Sequence, residues 1–348
     1  MQRTPIAGRG AAVLDAVVER FILTGDPVGS TRVARLLPER VSSATVRNVM
    51  AELEHLGYLE QPHTSAGRKP TRRGYRRYVE SLFAQGSYAS VDPQPLRSLL
   101  QEEPAEIQEL LRRACKLLAE LSELVGVVSA PPLADTVFQH IDFVPLEGGR
   151  VLAIVVARSG QVKNRVVTLR EPMSQEQLDR AAHYLVRRFA GRSLRQVARR
   201  VAELLTEASL RLAGIEQQAI SLGASSLGGD LDETEVMIEG TTSLVTRPEF
   251  EAREDLLAVL EIIEQPAELV PALSQEADGD RTRVLIGSEP LPAALGGCSL
   301  IMATYGSGGQ VLGSVAVLGP TRLPYARAIA VVEAVAVATS ALITELGI

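Results

Sequence analysis

Apolar residues recur at helical spacing through most of the first eighty positions. Leu14, Val17, Val18, Phe21 and Ile22 form one stripe and predict a helix over residues 10–24, stopped by Gly25-Asp26-Pro27. Ser30 stands where a cap belongs, and Val33, Leu36 and Leu37 predict a second, short helix facing inward, closed by Pro38. A longer helix follows. Ser42 and Ser43 can accept a bond from an orphan backbone N–H at its start, and Gly57 can take the left-handed conformation at its end. Between them Val46, Val49, Met50, Leu53 and Leu56 share one side, so that side is expected to be buried. The other side presents Ala44, Arg47, Asn48, Ala51 and His55. Tyr58-Leu59-Glu60 is a short strand-like run, Gln61 to Gly67 is a polar loop with the turn formers Pro62 and Gly67, and a basic run from Arg68 to Arg77 completes an expected hairpin. Gly74 to Phe83 reads as a helix leading to the body, with Tyr75 and Tyr78 packed against the domain.

The pattern then changes. Gln85 to Pro95 holds Gly, Ser, Asp and two prolines, the composition of a linker. Glu106 to Val125 repeats Leu110, Leu111, Leu117, Leu118, Leu121 and Leu124 at helical spacing. It reads as a dimer seam or as the first helix of the next domain. Val137–Leu146, Val151–Ala157 and Val162–Leu169 are β-branched runs divided by Gly-Gly and Ser-Gly turns. From Ser174, which with Gln177 resembles a capping box, to about Leu227 the period is helical. A weak strand at Val236–Ile238 and a helix at Phe250–Ile263 precede strands at Arg283–Ile286, Ser299–Thr304 and Val311–Leu318. The glycine-rich Gly306–Gly313 fails dinucleotide-binding spacing and reads as a hairpin turn. Tyr325 to Leu346 is a closing helix. Its apolar stretch Ala328–Ile343 is interrupted by Glu333, and it is expected to be a buried helix rather than a membrane span.

Charge alters this picture more than composition does. The chain of 348 residues is 46% hydrophobic and 22% charged, ordinary for two or three globular domains. Its net charge is -6, yet Met1 to Glu80 carries 13 basic and 8 acidic residues, a net of +5 that leaves -11 for the remainder. A basic head on an acidic body suits a protein that sends one domain to nucleic acid. Six basic residues and no acid between Arg68 and Arg77, directly after a helix-turn-helix pattern, would neutralise phosphates and release counterions.

Two short helices, a turn, a longer helix, a glycine stop and a basic hairpin give the order of a winged helix-turn-helix. Arg47 can pair with guanine and Asn48 with adenine, each through two hydrogen bonds, and alanines at 44 and 51 keep the face narrow enough for a major groove. The plainer reading of the same helix is a solvated surface with one Arg and one Asn. Ser43 and Thr45, near the helix start, are placed for phosphate contact beside free backbone N–H groups. His63, Thr64, Arg68 and Lys69 would seat the wing. Whether Arg72 and Arg73 touch DNA or only solvate the wing stays open, and Arg72 is carried with the contact set.

The run from Gly25 to Val79 closely resembles the N-terminal part of the heat-inducible transcription repressor HrcA family, and PHTSAGRKPT, Pro62 to Thr71, is its most specific piece. Lys69 stands where an aliphatic residue is usual in that family, which makes this wing more basic. GQVLGSVAVLGPTRLPYARAI, Gly309 to Ile329, carries a weaker resemblance to the family's C-terminal region. The resemblance implies an α+β multidomain protein: a winged-helix domain at 1–84, a linker at 85–103, a GAF-like α/β domain at 104–171 and 236–348, and a mainly helical dimerisation domain inserted at 172–235. It further implies a homodimeric, cytoplasmic repressor of heat-shock chaperone operons. Its partners would be a CIRCE-type inverted repeat in double-stranded DNA and a GroEL-type chaperonin that modulates activity. The alternative is a small-molecule-responsive winged-helix regulator of another regulon. Arg322 and Tyr325 would then line a pocket, although they serve equally as anchors for the last helix.

No nucleophile elbow, metal-binding helix or Ser/His/Asp signature occurs, so an enzyme is not expected, and neither is a cofactor or a metal. His140 and His183 are isolated. Cys115 and Cys298 have no zinc spacing and read as reduced, buried thiols. The first ten residues have no apolar signal core, and no aromatic platform for unpaired bases is evident.

Overall fold

In the computed structural model the protein mixes helix and sheet, and the described residues are 8–63, 66–86, 88, 90–101, 106–169, 171–208, 214–228, 231, 234–245, 253–274, 282–287 and 291–346. The N-terminal elements are α1 (Arg9–Thr24), α2 (Ser30–Leu36), α3 (Ser43–His55), β1 (Leu59–Glu60), β2 (Lys69–Pro70) and α4 (Arg72–Gln85). Val13, Leu14, Val17 and Val18 of α1 meet Val33 of α2 and Val46, Met50 and Leu53 of α3 in one buried core. Two details of α2 differ from expectation. Gly29, not Ser30, is its N-cap and no side chain caps it. Leu36 is 51% exposed, because the helix ends after seven residues and the extended Leu37 takes the inward position. The basic run also divides differently from a hairpin. Only Arg68 and Lys69 lie in or beside the ribbon, and the four arginines from Arg72 onward lie on α4.

Next come α5 (Pro93–Leu100), α6 (Ile107–Ser122) and β3 (Val125–Ser129). The expected linker therefore contains a helix: Asp92 caps α5 through a 3.0 Å bond from Gln94 N–H, and Leu96 and Leu100 are buried. The helix expected to run to Val125 ends at Ser122. Glu123 turns it at φ 58, and the Ser122 hydroxyl donates to Leu118 O and accepts the Leu124 N–H. Val125 then begins a fully buried strand. Gly126 lets α6 lie directly on that strand, since a Cβ there would sit 2.2 Å from the Cys115 carbonyl oxygen.

From β3 the chain passes into β4 (Phe138–Leu146), β5 (Arg150–Ala157), β6 (Val162–Thr168), α7 (Gln175–Phe189), α8 (Leu194–Ala208) and α9 (Ile215–Leu227). It returns as β7 (Val236–Glu239), then α10 (Thr242–Val245), α11 (Arg253–Glu264), α12 (Val270–Leu273), β8 (Arg283–Ile286), β9 (Cys298–Ser307), β10 (Gln310–Pro320) and α13 (Tyr325–Glu345). Phe250, expected to begin a helix, lies outside the described residues. β9 and β10 form the expected hairpin, turning at Gly308 and Gly309, both with positive φ.

Five strands form an antiparallel sheet in the order β7-β3-β10-β9-β8. Its period-two alternation feeds two cores. Val128, Ile301, Tyr305, Val315 and Val317 face α5, α6 and α13, whereas Val127, Leu300, Met302, Ala316 and Leu318 face α11 and α12. α13 is long and apolar enough to cross a membrane by length and composition, and 67% of its most apolar stretch is buried against this sheet and its neighbours.

The remaining strands form a separate meander, β4-β5-β6, that shares its core with α7, α8 and α9 rather than with the five-stranded sheet. Ser174 and Gln177 close a full capping box at the start of α7. The chain leaves the large sheet at Ser129 and re-enters at Val236, and these two residues are paired neighbours. The expected division at 172 would thus cut through one packed core.

Candidate nucleic-acid interface

Both ends of α3 are fixed by local chemistry. Ser42 Oγ accepts the Thr45 N–H at 3.1 Å and lies 2.9 Å from Thr45 Oγ1. At the other end Gly57 takes φ 76, its N–H donates to Glu54 O, and the Tyr58 N–H donates to Leu53 O, both at 2.9 Å. This paired closure is the Schellman arrangement that satisfies the last carbonyls of a helix. Arg73 adds a cation there. Its Nη1 donates to Leu56 O at 2.6 Å and its guanidinium lies 4.3 Å from the Tyr58 ring centre, opposing the negative helix end.

With Val46, Met50 and Leu53 buried and Val49 and Leu56 half-buried, Ser43, Ala44, Arg47, Asn48, Ala51 and His55 stand exposed on the outer side, and Thr45 is half-buried. Arg47 and Asn48 make no side-chain hydrogen bond or ion pair among the described residues. The N-terminal half of α3 thus presents uncommitted donors while its C-terminal half is tied down.

The ribbon beside it is small. Glu60 pairs across from Lys69, and their side chains meet at 3.0 Å. Val28 and Arg68 exchange backbone hydrogen bonds at 2.9 and 3.0 Å, which ties the ribbon to the α1–α2 connection. Gly67 is required at this crossing, because a Cβ would sit 2.5 Å from the Val28 backbone. Gln61 Nε2 donates to Ala66 O and folds the loop. His63 is exposed at the loop, and Thr64 lies outside the described residues. Thr71 caps α4 by accepting the Gly74 N–H and donates to Gly57 O at 2.7 Å, joining the ends of α3 and the ribbon.

The structure gives the basic run internal partners. Arg68 directs Nε and Nη2 to Glu54 Oε2 of α3, each at 2.8 Å, with its side chain only 15% exposed. Lys69 is engaged by Glu60. Arg72 donates to Gly296 O at 3.3 Å and packs on Gly287, both outside the N-terminal unit. Arg73 holds the end of α3. The charge excess that pointed to phosphate contacts is therefore largely spent on carboxylates and helix-end carbonyls of the molecule itself. Conversely, Arg32 and Arg35 of α2 and Arg40 in the following turn are exposed on the α2–α3 side. They were legible as basic residues on the face opposite Val33, but a short run of scattered arginines stands out less than a dense one.

Behind α3, α1 and α4 enclose a polar pair. Asp15 accepts a 3.0 Å bond from Ser81 Oγ, and burial raises its carboxyl above the ordinary range, opposed more weakly by Ser81 and Arg77. Glu19, one turn on, is raised by desolvation and by the Asp15 charge. Burial and these two acids push the Tyr78 phenol up. Cys115, buried under Met237 O, has its thiol pushed up to about 12 and is chemically inert. Among the described residues no group of three His, Cys, Asp or Glu could hold a metal.

Comparison with known proteins gives a consistent result. A family model described as HrcA protein C terminal domain matches residues 108–329. The heat-inducible transcription repressor HrcA of Geobacter sulfurreducens is 36% identical over 330 residues, covering 95% of this chain and 96% of that protein. The protein of the same name from Xanthomonas campestris pv. campestris is 37% identical over 332 residues, covering 94% and 93%. A crystal structure of a hypothetical protein at 2.2 Å resolution aligns with a TM-score of 0.65 and 25% identity, covering 98% of this chain and all of the other.

Proposed function

The chain belongs to the HrcA family of heat-inducible transcription repressors, and from that premise we propose that it reads its operator as a two-fold dimer of winged helix-turn-helix heads. In this reading α3 enters the major groove. Arg47 and Asn48 contact base edges, with Ala44 and Ala51 leaving room for the backbone. Ser43, the Thr45 region and the free N–H groups at the start of α3 meet phosphate, joined by Arg32, Arg35 and Arg40 across the backbone. His63, exposed on the loop between the two ribbon strands, is read as the wing-tip contact. Arg68 acts inside the head as a strut between ribbon and helix, Lys69 pairs with Glu60 within the ribbon, and Arg72 fastens the head to the body. The observation that carries the proposal is the capped, docked α3 whose exposed Arg47 and Asn48 have no partner within the described residues.

The body is read as a GAF-like sheet, β7-β3-β10-β9-β8, with a dimerisation unit inserted between β3 and β7 at about residues 131–234. An unpartnered apolar row supports this role. Val144, Leu152 and Val166 lie side by side across β4, β5 and β6, with Val144 42% and Val166 52% exposed on the face away from the unit's own core. A second copy of the same unit would cover it. A two-fold dimer implies an inverted repeat, and the family resemblance implies the CIRCE type upstream of chaperone operons. The same resemblance implies modulation by a GroEL-type chaperonin in the cytoplasm.

The test is a titration of the full chain against a CIRCE-type inverted repeat and a scrambled duplex at two salt concentrations. Binding to the repeat at least ~10³-fold tighter is the expected result. Equal, steeply salt-dependent binding to both would overturn the proposed mode of reading.

A further inference from the structure

Glu333 sits in the middle of α13, whose other inward residues are almost all apolar. Glu333 is half-buried there, and a partner bringing positive charge would make its hydrogen bonds stronger. Its Oε1 accepts two neutral hydroxyls, Tyr88 at 3.1 Å and Thr282 at 2.8 Å. Neither supplies positive charge, and Glu333 forms no ion pair among the described residues. Two hydroxyl donors on one oxygen hold and aim the carboxylate, and its second oxygen accepts no hydrogen bond among the described residues.

Glu333 lines a cleft of about 1080 Å³. One wall comes from the C-terminal end of α4, with Glu80 and Phe83, and the other from α13, with Glu333 and Val337, over a floor that includes Ala303 of β9. Phe83 and Tyr88 meet edge to face at 6.0 Å and form an aromatic end. Val337 is 56% exposed at the opening. The described lining has two carboxylates and no basic side chain. Arg283, which follows Thr282, is not part of it.

We propose that this cleft is an effector site for a small organic cation: a primary ammonium that pairs with Glu333 and carries a short apolar or aromatic group against Phe83, Tyr88 and Val337. An ammonium supplies the charge that Glu333 lacks, and charge-assisted hydrogen bonds are the strong ones. The apolar group matches the remaining lining. The site spans the head, through α4, and the body, through α13, so occupancy changes how firmly the two are held together. A ligand that favours one arrangement shifts operator affinity by its differential affinity for that arrangement.

The probe is 2-phenylethylammonium, with 2-phenylethanol and 3-phenylpropanoate as neutral and anionic controls, titrated calorimetrically into the full-length protein. Saturable one-to-one binding of the ammonium, absent with both controls, is expected. Glu333→Gln should weaken it by about tenfold or more through loss of the charged contact. Val337→Trp, at an exposed position that leaves Glu333 intact, should block it sterically while circular dichroism stays unchanged. The operator arm rests on the repressor reading: saturating ammonium should change operator affinity in the unsubstituted protein and not in Val337→Trp. No saturable binding overturns the proposal. So does binding shared with the controls, or binding indifferent to both substitutions. Ammonium binding without any change in operator affinity overturns the effector role. The calorimetry uses no DNA, so a failure of operator recognition cannot be mistaken for a failure of the cleft.

Discussion

Arg68→Gln tests whether the basic run touches DNA or braces the head. Its guanidinium places two N–H donors on Glu54 at 2.8 Å, with side-chain exposures of 15% and 35%. Those exposures are too low for the surface-pair range of about 0–1 kcal/mol, and Glu54 is too accessible for the 3–5 kcal/mol of a fully buried pair. Hydrogen bonds to charged groups, worth about 1.5–3 kcal/mol, are the appropriate scale. Removing either partner should therefore destabilise the head by roughly that amount and loosen the ribbon against α3. A double-mutant cycle with Glu54→Gln should show the two losses to be non-additive, because both delete one interaction.

Salt dependence separates the two roles. A phosphate contact contributes about 0.9 to the slope of log K against log salt on B-form DNA. If Arg68 braces α3, Arg68→Gln leaves that slope unchanged but lowers the ratio of operator to scrambled binding, because misplacing α3 harms base contacts first. Glu54→Gln should then lower the same ratio, although it removes a negative charge near the DNA. The strut reasoning is refuted if Arg68→Gln reduces the slope by about one unit, weakens both duplexes equally, and Glu54→Gln leaves the operator preference intact.

Arg47→Ala and Asn48→Ala should each cost about 1–3 kcal/mol of operator affinity in a binding titration, with little change in melting temperature, since both are exposed and uncommitted. Asp15 has a raised folded-state pKa, so its favourable protonation is fully present below the ordinary carboxylate range and is lost as pH rises through the raised value. At pH 7 the ionised group is a cost, and Asp15→Asn should raise the melting temperature by roughly 1–3 °C, a gain that shrinks toward pH ~4 in calorimetry. Leu152→Asp, at the centre of the exposed apolar row, should yield monomers in sedimentation and lower operator affinity by about 10²-fold or more, through loss of linked binding. Native-state hydrogen exchange should show α1, α3 and α13 opening together, and α7 to α9 opening with a different free energy.

Periodicity made much of the fold legible. The stripe on α3, the strands β4 to β6 and β8 to β10, and the capping box at Ser174 all follow from local pattern, because each element buries one side of its own residues. What stayed hidden depends on partners distant in sequence. β3 was missed and its first residue read as the end of α6, because Leu121, Leu124 and Val125 continue a helical period that only the turn at Glu123 and the close approach of Cys115 O to Gly126 break. That the meander shares its core with α7 to α9 was not legible, because strands of either sheet alternate alike. At the interface, the outward face of α3 was readable from the inward one. Whether an arginine is free was not. Glu54 precedes Arg68 by fourteen residues, and Gly296 follows Arg72 by 224, and neither spacing leaves a local signature.

The same long-range contacts bear on how a heat-inducible repressor releases its operator. Tyr75 and Tyr78 of α4 pack on Tyr325 of α13 at 5.9 and 6.5 Å between ring centres. The Tyr325 hydroxyl is bound by Ser299 and donates to Thr321 O. Arg322, in the same connection, reaches Ile22 O at the end of α1. Arg322 and Tyr325 therefore anchor head to body rather than line a pocket. One hydrophobic cluster runs from Val13 through α3 and α4 to Ile343, whereas the inserted unit keeps a cluster of its own. A head that shares its core with α13 is not an independent folding unit, so warming that loosens the five-stranded sheet takes α3 with it. The inserted unit, with its separate core, can stay folded through the same transition. On the proposed dimer, cooperative loss of head and sheet would make operator release steep with temperature, and inserted units that stayed paired would keep two heads together for refolding onto an inverted repeat. A head tethered only by a flexible linker would have neither property.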